Sequence, residues 1–149
     1  MDGGPAPERE GNVNSIHGYL VVFIGAGMGG CLRHAVNRLF GASGSSFPWA
    51  TFTVNCTGSL IMGLLAGWFA FRAGEVHSLH LPTTGTSGQH FKLFLTTGVL
   101  GGYTTFSAFS LDAALLWERG RIWSVVSYAG SSVLISVAAL FIGLAIMRP

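Results

Sequence analysis

Uncharged blocks alternate with short polar segments along this chain. No Asp, Glu, Lys or Arg stands between Pro48 and Phe71 or between Ile122 and Met147, and only Asp112 intervenes between Lys92 and Glu118. The gaps are of membrane length: the 24 residues from Pro48 to Phe71 would make a helix of about 36 Å, against a hydrocarbon thickness of ~30 Å. The pattern predicts four membrane helices, at about 18–40, 48–71, 91–117 and 122–147, and so an all-α integral membrane protein. The first is interrupted near its end by Arg33, His34 and Arg38, so its apolar part stops around Leu32.

Composition agrees with the pattern. Half of the residues are apolar and 9% are charged, against about 25% charged in soluble proteins. Such a chain does not cover itself with a hydrated surface, and membrane lipid rather than nucleic acid is its expected partner. Residues 1–15 are polar and rich in Gly and Pro and read as a disordered tail. Residues 16–149 read as one four-helix membrane domain, its first helix a retained span rather than a signal peptide. Residues 72–90 read as a polar loop, whose His77, His80 and His90 are expected to sit in water rather than on a metal. Cys31 and Cys56 fall inside spans and read as free, small apolar residues.

Charge also bears on orientation, because Lys and Arg favour cytoplasmic loops. With four spans, Arg9, Arg72, Lys92 and Arg148 share one side, and Arg33, Arg38, Arg119 and Arg121 share the other. A four-to-four tie is open to two readings: a weak signal, or a chain that inserts both ways. In the second case two copies of opposite orientation would pair about an axis in the membrane plane.

The stretch "YLVVFIGAGMGG" at residues 19–30 satisfies G-x-G-x-x-G with Gly25, Gly27 and Gly30. A dinucleotide site also needs an acidic residue about 20 positions on, and residues 42–50, "ASGSSFPWA", contain no carboxylate. Inside a membrane helix, Gly25, Gly27, Gly29 and Gly30, with Ala26, are instead expected to let helices approach closely.

Polar side chains within spans are costly and are functional candidates by default. Asn55 lies in "TFTVNCTGSL", where it fits either a helix-to-helix hydrogen bond or a donor along a polar path. Tyr128, Ser132 and Ser136 stand at i, i+4 and i+8 on one helix face, a ladder of neutral hydroxyls. In the third span, "TTGVLGGYTTFSAFSLD" sets Gly101 and Gly102 at membrane depth ahead of Thr104, Thr105, Ser107 and Ser110. Adjacent glycines weaken a helix, and backbone freed in a membrane is tolerated only inside protein or along a cavity. A helix broken at the glycines is therefore predicted. Phe106 and Phe109 project from one face beyond it, where electropositive ring edges would suit a small anion.

The segments "GAGMGGCLRH", "TFTVNCTGSL", "GGYTTFSAFS" and "YAGSSVLIS", in this order and spacing, resemble the Fluc family of fluoride channels, also called CrcB. The resemblance covers all four spans and implies an antiparallel, dual-topology homodimer with two fluoride pores and a central sodium ion. It implies that Asn55 lines the pore, that the edges of Phe106 and Phe109 face fluoride, and that Gly101 and Thr104 offer carbonyls to sodium. Tyr128, Ser132 and Ser136 would extend the polar track with Ser107 and Ser110 nearby, and Arg33 would sit in a vestibule where its charge gathers anions. Two departures stand out: Ala108 replaces a Thr common in the family, and Asp112 replaces the usual Glu.

The residues themselves argue for a path for a small anion, and the resemblance implies passive exit of cytoplasmic fluoride through a channel in the cell's inner (plasma) membrane. A proton-coupled exporter of small cations is the alternative, but it needs an embedded carboxylate, and the first two spans have none. A non-transporting assembly protein would not need a glycine break beside paired Phe. No nucleophile, base and orienting group recur together, so no enzyme is expected.

Overall fold

The computed structural model describes residues 16–41, 47–72 and 85–149, and every regular element among them is helical. The sequence readings of the 1–15 tail, His77 and His80 lie outside these residues. Helix α1 is Ile16–Gly41 and α2 is Trp49–Gly67, the latter extended by a π-helical turn, Trp68–Arg72. The third span is composite. It runs through α3 (Gly85–Leu93), a π-helical stretch Phe94–Leu100, the single turn α4 (Gly101–Tyr103), two extended residues, and α5 (Phe106–Glu118). Helix α6, Ile122–Met147, completes the chain. Four helical stretches are long and apolar enough to cross a membrane, at Ile16–Gly41, Trp49–Phe71, Ser87–Glu118 and Ile122–Met147. The chain is an all-helical, multi-pass membrane protein.

The connection between α5 and α6 is built for a tight reversal. Gly120 takes φ 70°, donates its N–H to the Trp117 carbonyl at 2.8 Å, and lets Arg121 N–H reach back to Leu116 at 3.1 Å. That pair of bonds is the Schellman ending of a helix, and its left-handed residue favours glycine. Trp117 and Trp123 flank the turn and are exposed, as expected of an aromatic belt at a membrane surface.

Helix α1 docks on the first half of the third span through glycine. A Cβ at Gly25 would collide with backbone at Phe94 and Gly98, and one at Gly29 with backbone at Val99 and Tyr103. From the other side, Gly102 faces the Ala26 backbone in the same way. Added atoms at Gly27 and Gly30 meet nothing within 4 Å among the described residues. Of the four glycines expected to pack, only Gly25 and Gly29, one turn apart, do so within the chain. They satisfy a backbone-to-backbone seam, as small residues do between membrane helices. The α2–α6 pair uses the same device, with Gly63 against Leu140 and Gly143 against Leu60.

The third span is broken, but not at its glycine pair. Gly101 is ordinary right-handed helix at φ −63°, ψ −37°. The extended residues are Thr104 (φ −77°, ψ 158°) and Thr105 (φ −154°, ψ 120°). Both are β-branched, and β-branched residues favour extended backbone. Gly102 contributes close approach to α1 instead of a bend.

The helix also begins earlier than the pattern suggests: α3 starts at Gly85, inside the stretch read as loop. His90 therefore belongs to a helix and is half-buried, its Nε2 without a hydrogen-bond partner among the described residues.

Candidate functional site

Breaking a helix at membrane depth strands backbone polar groups, and each must find a partner. Asn55 on α2 supplies two. Thr105 N–H donates to Asn55 Oδ1 at 2.9 Å, and Asn55 Nδ2 donates to the Thr105 carbonyl at 3.1 Å. In a continuous helix that Thr105 N–H would serve the carbonyl of Gly101, four residues back. Gly58, one turn from Asn55 on α2, makes room for the break, since a Cβ there would strike the Thr104 methyl group. Thr105 then caps the second half of the span: its Oγ1 accepts the Ala108 N–H at 3.2 Å, the usual work of an N-cap hydroxyl.

An open groove of about 370 Å³ lies against the break. Asn55 and Ser59 line it from α2, Ser132 and Ser136 from α6, and Phe106 and Phe109 from α5. No charged side chain lines it among the described residues. The two rings lie 5.5 Å apart, inclined at 40°, and Phe106 is 79% exposed. Ser136 Oγ meets Cys56 Sγ at 3.6 Å, whereas Ser132, only 4% exposed, has a buried hydroxyl with no partner among the described residues. A buried hydroxyl left in that state invites a ligand or a water. The groove thus presents hydroxyls, one amide and aromatic rings, a set that can replace part of an ion's hydration without binding it as a fixed charge would.

Residues 20–144 match the family described as CrcB-like protein, Camphor Resistance (CrcB). The chain belongs to the CrcB family. It is 51% identical over 131 residues to a protein from Rhodopseudomonas palustris (strain BisB5), covering 87% of this chain and 96% of that relative. Another R. palustris protein is 52% identical with the same coverage, and one from Nitrobacter hamburgensis is 51% identical, again over 87% and 96%. The two R. palustris proteins are named fluoride-specific ion channel FluC, and that of N. hamburgensis fluoride-specific ion channel FluC 2.

Within this CrcB chain the remaining candidate residues divide between other surroundings. Tyr128 does not line the groove. It is fully buried, packs beside Phe109 with ring centroids 5.3 Å apart, and donates its hydroxyl to Asp112 Oδ2 at 3.3 Å. Thr51 donates to the same oxygen at 2.7 Å. The Asp in place of the family's common Glu therefore still finds two hydroxyl donors. Ser110 is exposed, and its Oγ is bonded back to the Phe106 carbonyl at 3.0 Å. Ser107 lies in a separate concavity of about 510 Å³, together with Arg33, His34 and Asn37 of α1. Ala108 lines that concavity as well, so the missing threonine hydroxyl is lost from the Arg33 side rather than from the groove.

Thr51 escaped the sequence reading, and Thr105 was named only among the polar residues of the third span without a role. Thr51, Asn55 and Ser59 repeat every four residues, as Tyr128, Ser132 and Ser136 do, and the two stripes meet through Asp112 and across the groove. The spacing of the α2 stripe was a legible signal for Thr51. For Thr105, the signal was a hydroxyl residue immediately ahead of a helix. The Thr104 hydroxyl donates to the Leu100 carbonyl at 2.9 Å, and no cluster of three or more His, Cys, Asp or Glu occurs among the described residues.

Proposed function

We propose that this protein is a fluoride-specific ion channel through which cytoplasmic fluoride leaves the cell passively, which lowers its toxicity. The observation that carries this reading is identity of about half to fluoride-specific channels across nearly the whole chain. The charge-free groove at the broken helix supports it. Hydrogen fluoride crosses membranes as a neutral acid and dissociates at neutral pH, so accumulated fluoride has to leave as the ion. A weakly held anion passes neutral donors more readily than a buried Lys, which would hold it. The Asn55 amide, the Ser132 hydroxyl and the edges of Phe106 and Phe109 are the donors we assign to the path, with Ser136 continuing it.

The working unit in this reading is an antiparallel homodimer, as the even division of basic residues suggests, with lipid around it. The exposed Phe23, Ile24 and Met28 on α1 and Phe106 on α5 are apolar surfaces for lipid or a second copy. Sodium would be held by the carbonyls of Gly101 and Thr104 from each of two subunits. The fit rests on two features: the Thr105 N–H is turned to Asn55 instead of Gly101, and hard cations favour oxygen ligands. A bound sodium ion would supply positive charge to carbonyl oxygens that otherwise repel one another in a low dielectric. Fluoride efflux from liposomes containing the purified protein, with chloride as control, tests the reading.

A further inference from the structure

Thr105 lines both the groove and the Arg33 concavity. It is 9% exposed, and each of its polar groups is engaged. The amide and carbonyl are held by Asn55, while Oγ1 accepts the Ala108 N–H and lies 3.2 Å from Ser107 Oγ. A hydroxyl has one hydrogen and two lone pairs. With one lone pair facing the Ala108 amide, Thr105 keeps its hydrogen and a second lone pair, so either hydroxyl of the Thr105–Ser107 pair can donate; in the proposal Thr105 is the donor.

We infer that Thr105 is a positioning residue for anion transfer between the Arg33 concavity and the groove, acting through Ser107. The inference rests on the fluoride-channel reading above. Donation from Ala108 to Thr105 and from Thr105 to Ser107 makes a polarised chain, and each bond strengthens the next. It leaves the exposed Ser107 O–H as the terminal donor, directed at an anion that Arg33 has drawn into the concavity. The same Thr105 hydroxyl caps α5 at Phe106, so the orientation of the first ring and the polarity of the last hydroxyl are set by one group. The arrangement accounts for a threonine at the wall between two cavities, where Val would match its shape and give no donor.

The test compares fluoride efflux from liposomes carrying the full chain as wild type, Thr105→Val, Thr105→Ser, Ser107→Ala and Thr105→Val with Ser107→Ala. Thr105→Val and Ser107→Ala are each expected to lower fluoride efflux by about tenfold, the loss of one anion-directed hydrogen bond. Thr105→Ser restores efflux to within about twofold, and the double variant is no slower than either single one, because both act on the same chain of bonds. Wild-type efflux in Thr105→Val, no rescue by Ser, or losses that multiply in the double variant each overturn the inference. If Thr105→Val does not reconstitute, Thr105→Ala replaces it in the same cycle, with the same outcomes deciding. Absence of fluoride efflux in the wild type would instead remove the channel reading itself.

Discussion

Asn55 and Thr105, 50 positions apart in sequence, exchange two hydrogen bonds and close the backbone of a broken membrane helix with a side-chain amide. An amide offers one acceptor and two donor hydrogens. One donor and the acceptor are committed to Thr105, and Asn55 also lines the groove. The same residue therefore serves as a structural clamp and as a wall of the groove; its part in a polar path remains the proposal.

Replacing Asn55 separates these roles. Asn55→Leu leaves the Thr105 N–H and carbonyl without partners, at a cost of about 1–3 kcal/mol for each buried group. The thermal unfolding temperature in detergent is expected to fall together with fluoride efflux. In Asn55→Asp the Thr105 N–H keeps its acceptor, the Thr105 carbonyl loses its donor, and a negative charge faces the groove. Efflux is expected to fall further than stability does, so equal and small effects from both variants would contradict the clamp.

The ring pair differs in what each member supports. Phe106 is largely exposed, whereas Phe109 packs on Tyr128. Phe106→Ile should reduce fluoride efflux sharply with little change in unfolding temperature, since apolar volume is mostly kept and the ring edge is lost. Phe109→Ile should reduce efflux and also cost about 0.5–1.5 kcal/mol of stability from the lost aromatic pair. Unchanged efflux in both variants would take the rings out of the pathway.

Neighbouring glycines carry opposite expectations. A side chain at Gly102 strikes the Ala26 backbone, but among the described residues one at Gly101 meets only the Thr96 carbonyl, at 3.8 Å. Gly102→Val should abolish folding of the α1 seam and yield little purified protein. Gly101→Val should fold as a subunit and fail at the proposed meeting of two subunits and sodium, seen as loss of the proposed dimer on size exclusion. Prolonged sodium removal should weaken the proposed wild-type dimer in the same way, and a monomer, or a dimer indifferent to both treatments, would count against the proposed sodium site at Gly101 and Thr104.

Orientation is open to a labelling experiment. Arg38 is the basic residue in the last turn of α1 and is exposed. In intact cells, Arg38→Cys made in a background where Cys31 and Cys56 are Ser should react with an impermeant thiol reagent in part of the population, and in the remainder only after the cells are opened. Full labelling or full protection in intact cells would rule out insertion both ways.

Much of the fold could be read from the sequence because a bilayer imposes a length and a polarity on every span. The charge-free runs ending at Phe71 and Met147 mark helices with few alternatives. The break was legible too, but its place was not. Gly101 and Gly102 weaken a helix in isolation, yet tertiary packing on α1 holds them helical, and the extended residues are the β-branched Thr104 and Thr105. Glycine roles likewise depend on which face meets a neighbour: Gly25 and Gly29 differ from Gly27 and Gly30 only in direction around one helix. Tyr128 shared a stripe with Ser132 and Ser136, but its length carries its hydroxyl to Asp112, past the groove that the shorter serines line.

The groove beside Asn55 and Thr105, free of charged side chains among the described residues, is proposed to pass fluoride and reject chloride. The most direct measurement is anion efflux from liposomes reconstituted with the purified wild-type protein, followed with fluoride- and chloride-selective electrodes under a potassium ionophore. The account predicts fast fluoride release, chloride release at the rate of protein-free liposomes, and no need for a proton gradient. Equal release of both anions, or release of neither, would contradict it.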